Sequence, residues 1–334
     1  MMQNTSGGLL LLLVAGVMNA SFAVPMKRTR GWSWENTWVA WSVFALLALP
    51  MVLAFSLVPD YWSLLLSAEH IVVLVAVCGA AWGVAQVLFG LALEKIGIAL
   101  TFSIVLGLSA AMGSIIPLLR FHRDELFTHA GLVSIAGIVL VLIGVAVCAV
   151  AGRMRDRGRT GGQSSPGFGP GLLMAIASGI CASMMNVGFA FGGPLSDAAA
   201  MRGTGSLWLS DAIWAPMLVG GAIPNVLYCL FLLRKNRTAG QFAANTGRNL
   251  TLAFTMAVLW FGSSILYGVS TIYLGTLGKV VGWPLFMSLI VILAGVLGVI
   301  TGEWKGSDPR ALRVQGIATV ILICAVIVLS RATL

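Results

Sequence analysis

Charge is what this sequence has least of. Only 9% of its residues are Asp, Glu, Lys or Arg, against about 25% in a soluble domain, too few to build a surface facing water. Histidine and cysteine are scarce too. The three histidines, His70, His122 and His129, fall at outer loops or helix ends and read as solvated. The five cysteines, Cys78, Cys148, Cys181, Cys229 and Cys324, fall one each in five separate apolar runs and read as small packing residues. No C-x-x-C, H-E-x-x-H or Ser-His-Asp pattern occurs, and the one stretch near an ATP loop, "GTLGK" at 275–279, is too short and continues into Val280. No catalytic residue, metal or cofactor is therefore expected. The lack of a Lys or Arg cluster within any apolar run argues against a phosphorylated substrate.

What is present is apolar: 59% of the 334 residues, with a mean hydropathy of +0.98. A bilayer core of about 30 Å is crossed by roughly 20 apolar residues in helix. Ten apolar runs of that length occur, each with at most two charged residues, at 7–26, 37–58, 70–93, 97–119, 130–151, 170–192, 208–233, 250–273, 280–301 and 312–331. No cation precedes the first run and Lys27, Arg28 and Arg30 follow it directly, which marks a retained helix and not a cleaved signal.

Cationic loops stay on the cytoplasmic side. Loops after odd-numbered runs hold 15 Lys and Arg residues: Lys27, Arg28, Arg30, Lys95, Arg153, Arg155, Arg157, Arg159, Arg234, Lys235, Arg237, Arg248, Lys305, Arg310 and Arg313. The other side holds five, Arg120, Arg123, Arg202, Lys279 and Arg331. Odd loops are thus expected in the cytoplasm, with both termini periplasmic. The net charge of +9 is spread over short loops beside lipid, with no single patch to track nucleic acid.

Run six repeats features of run one: Gly8 and Gly16 correspond to Gly171 and Gly179. An offset of 185 residues places Gly97 on Gly282, Leu100 on Leu285, Ser103 on Ser288 and Gly113 on Gly298, matching run four to run nine. With five runs per copy the second enters from the opposite face, so the repeat is inverted. The expected fold is an all-α polytopic membrane protein of ten transmembrane helices in two inverted five-helix repeats, 1–151 and 170–334. A flexible cytoplasmic linker over 152–169 joins them. Ten helices, short loops and no soluble domain point to a secondary transporter of the drug/metabolite transporter class. Among the 40 glycines, Gly79 and Gly83 have the GxxxG spacing of close helix packing, which carries no information on oligomeric state.

The stretch Pro25, Lys27, Arg28, Trp32, Ser33, Trp34, Glu35 resembles the first loop of the L-rhamnose/proton symporter family, which runs Pro-x-Lys-Lys or Lys-Arg and then Trp-Ser-Trp-Glu. "GAAWG" at 79–83, the aromatic pair Trp260 and Tyr267, and "GEWKG" at 302–306 are similar to that family's third, eighth and ninth helices, in the same order. Gln86 stands where the enterobacterial members carry asparagine, a change that bears on the sugar more than on the fold. The resemblance implies proton-coupled import of a neutral sugar, L-rhamnose or a related 6-deoxyhexose, across a bacterial inner membrane, with no cofactor. Its rival is a proton-driven exporter of small amphipathic metabolites or drugs with the same fold; a channel or scaffold would lack saturable uptake.

Chemistry is expected at mid-membrane depth, where polar groups are costly. Trp82 and Gln86 share a face of the third run, and Trp260, Ser263 or Ser264 and Tyr267 share one of the eighth. Asn19 and Asn186 add amides. Amides suit a ring of hydroxyls, and an aromatic face suits the apolar side of a deoxysugar. The alternative for each amide is an interhelical hydrogen bond, and Asn225, next to Pro224, is read as satisfying carbonyls the proline frees. Candidates for proton coupling or gating are Glu94, Asp211, Lys279 and Glu35, although acids in the places of Glu94 and Asp211 are more often interfacial charges than relays. Lys27, Arg28 and Arg30 anchor the first loop, Trp32, Trp34 and Trp38 form an interfacial belt, and Trp34 and Glu35 are candidates to close a cytoplasmic gate.

Overall fold

A backbone in lipid finds no water to satisfy its N–H and C=O groups, so an apolar run must close its hydrogen bonds within itself as helix. The computed structural model describes residues 5–96, 98–160, 168–275, 278–300, 304–305 and 307–331, and no strand occurs among them. The long helices are α1 (Thr5–Ser21), α2 (Trp34–Leu57), α3 (Glu69–Ile96), α4 (Ile98–Phe121), α5 (His129–Thr160), α6 (Phe168–Phe191), α7 (Asp211–Asn236), α8 (Thr246–Tyr273), α9 (Gly278–Ile300) and α10 (Pro309–Arg331). Each, α1 together with the turn that follows it to Arg28, includes a stretch long and apolar enough to cross a membrane. Outward-facing side chains are themselves apolar: Leu173, Trp62 and Leu10 are all more than 60% exposed, as a lipid-facing surface requires.

All ten expected runs fall on these helices, with shifted ends. α1 stops at Ser21 and the chain makes a tight helical turn over Pro25–Arg28, opened by Pro25, whose fixed φ and missing N–H suit the first position of such a turn. α2 widens into a π turn over Val43–Ala48, where the Leu49 N–H reaches the Phe44 carbonyl just ahead of Pro50. α5 continues to Thr160, so the stretch 152–160, expected as flexible, is helical. Arginine and methionine at 153–155 favour helix, and the paired glycines come only at 161–162. The rest of that stretch up to Gly167 lies outside the described residues.

The chain forms two compact units, each assembled from separate segments: one from 1–20, 85–187 and 270–334, the other from 21–84 and 188–269. In the first, the end of α3 packs with α4 and α6 through Ala85, Ala92, Val105, Ala175 and Ala182. Helices in lipid are held together by close packing and hydrogen bonds and not by apolar burial. Ser178 Oγ accordingly donates to the Ala85 carbonyl at 2.8 Å, and Trp283 Nε1 to that of Ser109 at 3.1 Å. Gly137 and Gly144 of α5 leave room for Leu329 and Leu322 of α10.

In the second unit, α3 and α7 meet backbone to backbone. A Cβ on Gly79 would strike the Met217 carbonyl, one on Gly220 the Ala76 carbonyl, and one on Gly83 the Gly221 carbonyl. The GxxxG spacing is therefore used within the chain. α2 packs on α7, and Asn225 joins them: its Nδ2 donates to the Gly221 carbonyl one turn back at 2.9 Å, and its Oδ1 accepts from Trp38 Nε1 at 3.2 Å.

Candidate functional site

The spacing of Trp34, Trp38 and Trp41 puts three indoles on one face of α2. Trp34 and Trp38 stack at 5.1 Å between ring centroids, and Trp38 and Trp41 lie 4.5 Å apart. Trp41 meets the edge of Trp260 at 5.4 Å, and Trp260 stacks on Trp82 at 5.4 Å. Five indoles thus form a continuous row that starts at Trp34, 43% exposed, and ends on Trp260 and Trp82, both buried. Of the expected sugar residues, Trp82 and Trp260 are brought together. Trp41 joins them unforeseen, since only the packing of the second unit reveals it as a neighbour of Trp260.

Tyr267 lies two turns beyond Trp260 on α8, in a separate aromatic cluster. Its ring is 5.4 Å from Phe189 and 6.3 Å from Trp214, and Phe189 stacks on Trp214 at 4.6 Å. Ser263 and Ser264 bond back to the Trp260 carbonyl, at 2.6 and 3.3 Å. In the other unit, Asn186 donates to the Gly113 carbonyl at 2.6 Å, an α6–α4 bond of the kind anticipated as the alternative to a sugar role. Asn19 on α1 and Gln86 on α3 are half-buried in that unit.

Asp211 opens α7 and is fully buried, yet among the described residues neither carboxylate oxygen has a hydrogen-bond partner. The neighbouring Ser210 Oγ and Trp214 Nε1 are buried and equally unpartnered. A Cβ on Gly268 would meet Ser210 Oγ at 2.5 Å and Trp214 Nε1 at 3.3 Å, so the α8 backbone closes over both. Tyr61 donates to the Ala212 carbonyl at 3.3 Å. Burial, with the Asp211 carboxylate adding to it, pushes its phenol well above the usual range, so it stays a donor. Sequence reasoning passed over Ser210 and Trp214, although Trp214 is three residues from Asp211 and so on the same helical face. The side chains of Glu94 and Lys279 lie outside the described residues.

Glu35 is buried and receives hydrogen bonds from Asn236 Nδ2 at 3.0 Å and Thr238 Oγ1 at 2.7 Å. Around it the first loop is fastened to the segment between α7 and α8. Asn36 Nδ2 donates to the Thr238 carbonyl at 3.1 Å, the Ser33 N–H to Gln241 Oε1 at 2.6 Å, and Asn249 both donates to and accepts from the Arg30 backbone. Gly31, with φ of +72°, turns the chain there. Trp32, expected in an interfacial belt, instead packs inward at 5.1 Å from Phe242 beside Ala40 and Ala253; Trp34 alone of the expected belt is exposed. Glu35→Ala removes an acceptor of two bonds and should lower stability by about 1 to 3 kcal/mol. Glu35→Gln, which keeps one acceptor, should lose less. The thermal midpoint of the purified protein reads both, and equal midpoints for parent and Glu35→Ala would show that the clasp does not hold this unit.

The family model for L-rhamnose-proton symport protein (RhaT) matches residues 1–333. The L-rhamnose-proton symporters of Yersinia pestis (strain Pestoides F) and Yersinia pseudotuberculosis serotype O:3 are 27% identical to this chain over 327 residues, 95% of each sequence. That of Citrobacter koseri is 26% identical over the same length. This chain belongs to the L-rhamnose-proton symport protein family, whose members are transporters and not enzymes.

Proposed function

We propose that this protein is a bacterial inner-membrane transporter that imports a neutral sugar together with a proton, the sugar being L-rhamnose or a related 6-deoxyhexose. The observation that carries the reading is Asp211, a buried carboxylate without a hydrogen-bond partner among the described residues at the head of a spanning helix. A buried anion left unpaired is costly, so such a group is retained for function and not for stability. Taking up a proton removes that cost, and releasing it on the other side couples its passage to the sugar.

In one unit Trp82 and Trp260 are the candidates for the sugar's apolar face, with Tyr267 a further candidate in its own aromatic cluster; in the other, the amides of Asn19, Gln86 and Asn186 are the candidates for contacts to hydroxyls. The chain is read as two inverted halves, 1–151 and 170–334. In support, each half contributes its second helix, α2 or α7, to one compact unit and its fourth and fifth, α4 and α5 or α9 and α10, to the other. Trp82 and Trp260, from the third helix of each half, stack on each other. The charge bias of the loops supports a cytoplasmic position for those after odd-numbered helices and periplasmic termini.

Purified protein in proteoliposomes should accumulate labelled L-rhamnose when a pH gradient is imposed and not without one. In binding titrations Gln86→Ala should weaken L-rhamnose about tenfold, since an unpaired buried hydroxyl costs about 1 to 3 kcal/mol. Trp260→Phe should lose less than Trp260→Ala because a smaller ring still offers an apolar face. Unchanged binding by Gln86→Ala removes that residue from the site. A parent protein that binds neither L-rhamnose nor L-mannose overturns the sugar reading in favour of the exporter.

A further inference from the structure

The unit containing α4, α5, α9 and α10 holds a cavity of about 170 Å³. Val145, Cys148 and Arg155 line it from one face of α5, Ala294 from α9, Gln315 from α10, and Trp304 from the turn before α10. Val145 to Arg155 is ten residues of helix, about 15 Å, or half of a bilayer core of about 30 Å. Ala294 is exposed, so the cavity reaches the surface of the unit as a groove.

Its chemistry is asymmetric. Along the helices the wall is apolar, interrupted by the Cys148 thiol and by the Gln315 amide, whose Nε2 lies 3.7 Å from that sulfur. At one end Arg155, the last residue of the membrane-spanning part of α5, sits over the Trp304 ring at 5.2 Å. Arginine and tryptophan together are the pair that settles at the level of lipid headgroups. A slot one leaflet deep, apolar along its length and cationic at its interfacial end, complements an amphiphile with a long tail and an anionic head. A neutral sugar would leave most of its hydroxyls facing carbon here, and a free phosphate would make no use of the apolar wall.

We propose that this groove is a binding site for an anionic phospholipid of the surrounding bilayer, with one acyl chain along α5 from Arg155 toward Val145 and the phosphate held at Arg155. The site shares no residue with the proposed sugar contacts and does not depend on them.

Native mass spectrometry of the purified protein tests it, with phosphatidylglycerol and phosphatidylcholine of identical chains supplied in equal amounts. One guanidinium near the headgroups is worth about fivefold in preference, so the parent should retain phosphatidylglycerol over phosphatidylcholine by about that factor. Arg155→Gln should bring the ratio near one, Arg155→Lys should keep most of it, and Arg153→Gln, on an exposed neighbour, should leave it unchanged. Ala294→Phe should fill the groove and reduce retention of both lipids. Equal retention of the two by the parent, or equal losses in Arg153→Gln and Arg155→Gln, would show diffuse surface attraction and overturn the site. So would undiminished retention by Ala294→Phe. Arg155→Lys supplies a reading if Arg155→Gln does not fold: a ratio of one there also refutes the assignment.

Discussion

Gly79→Val should leave almost no folded protein, while Gly90→Val on the same helix should be recovered at close to parental yield. The two positions share a helix and a residue type and differ in what faces them. A side chain on Gly79 would be driven into the Met217 carbonyl, whereas one on Gly90 meets nothing within 4 Å. Overpacking a core usually costs about 1 to 3 kcal/mol because neighbouring side chains give way. Here the neighbour is backbone, held by α7's own hydrogen bonds, so relief requires α3 and α7 to separate. Separation would also loosen the reciprocal contacts of Gly83 with Gly221 and of Gly220 with Ala76. Size-exclusion chromatography of a fluorescent fusion measures the folded fraction. A monodisperse Gly79→Val at parental yield would mean that these helices do not pack as closely as described.

Asp211→Asn should abolish uphill accumulation of sugar and leave counterflow exchange intact. The asparagine keeps the shape of the carboxylate but takes up no proton across the working pH range, so a cycle that needs protonation to move its charge loses the link to the gradient while the sugar pathway persists. The substitution should not weaken the fold. Neither carboxylate oxygen has a partner to lose among the described residues, and an amide offers Ser210 and Trp214 the same neighbour without a buried charge. The thermal midpoint should therefore hold or rise, which separates a lost coupling group from a damaged protein. Parental accumulation by Asp211→Asn would remove this carboxylate from the proton path.

The ten helices were legible because lipid imposes one rule on every run, a length of apolar residues closed by its own hydrogen bonds. Gly79 and Gly83 were legible for a related reason: their four-residue spacing already lines up two small residues on one face. Partners far apart in sequence were not. Trp41 joins Trp260 across 219 positions, and nothing in either local stretch announces it. Trp32 was misplaced because its neighbours in sequence are cations and other indoles, which read as an interface, while Phe242 and Ala253, which bury it, come more than 200 residues later. Asp211 stood out as a scarce acid, but its lack of a hydrogen-bond partner among the described residues appears only when the surrounding helix ends are in place.

The row of five indoles also has an optical consequence. Ring centroids 4.5 to 5.4 Å apart are close enough for neighbouring indole transitions to couple, and that coupling should show in the near-ultraviolet dichroism. A sugar that parts Trp82 from Trp260 would interrupt that coupling at its buried end and alter the near-ultraviolet dichroism of the whole row. On the proposed sugar contacts, the row would act as a label-free reporter of occupancy, built from residues that hold α2, α3 and α8 in register.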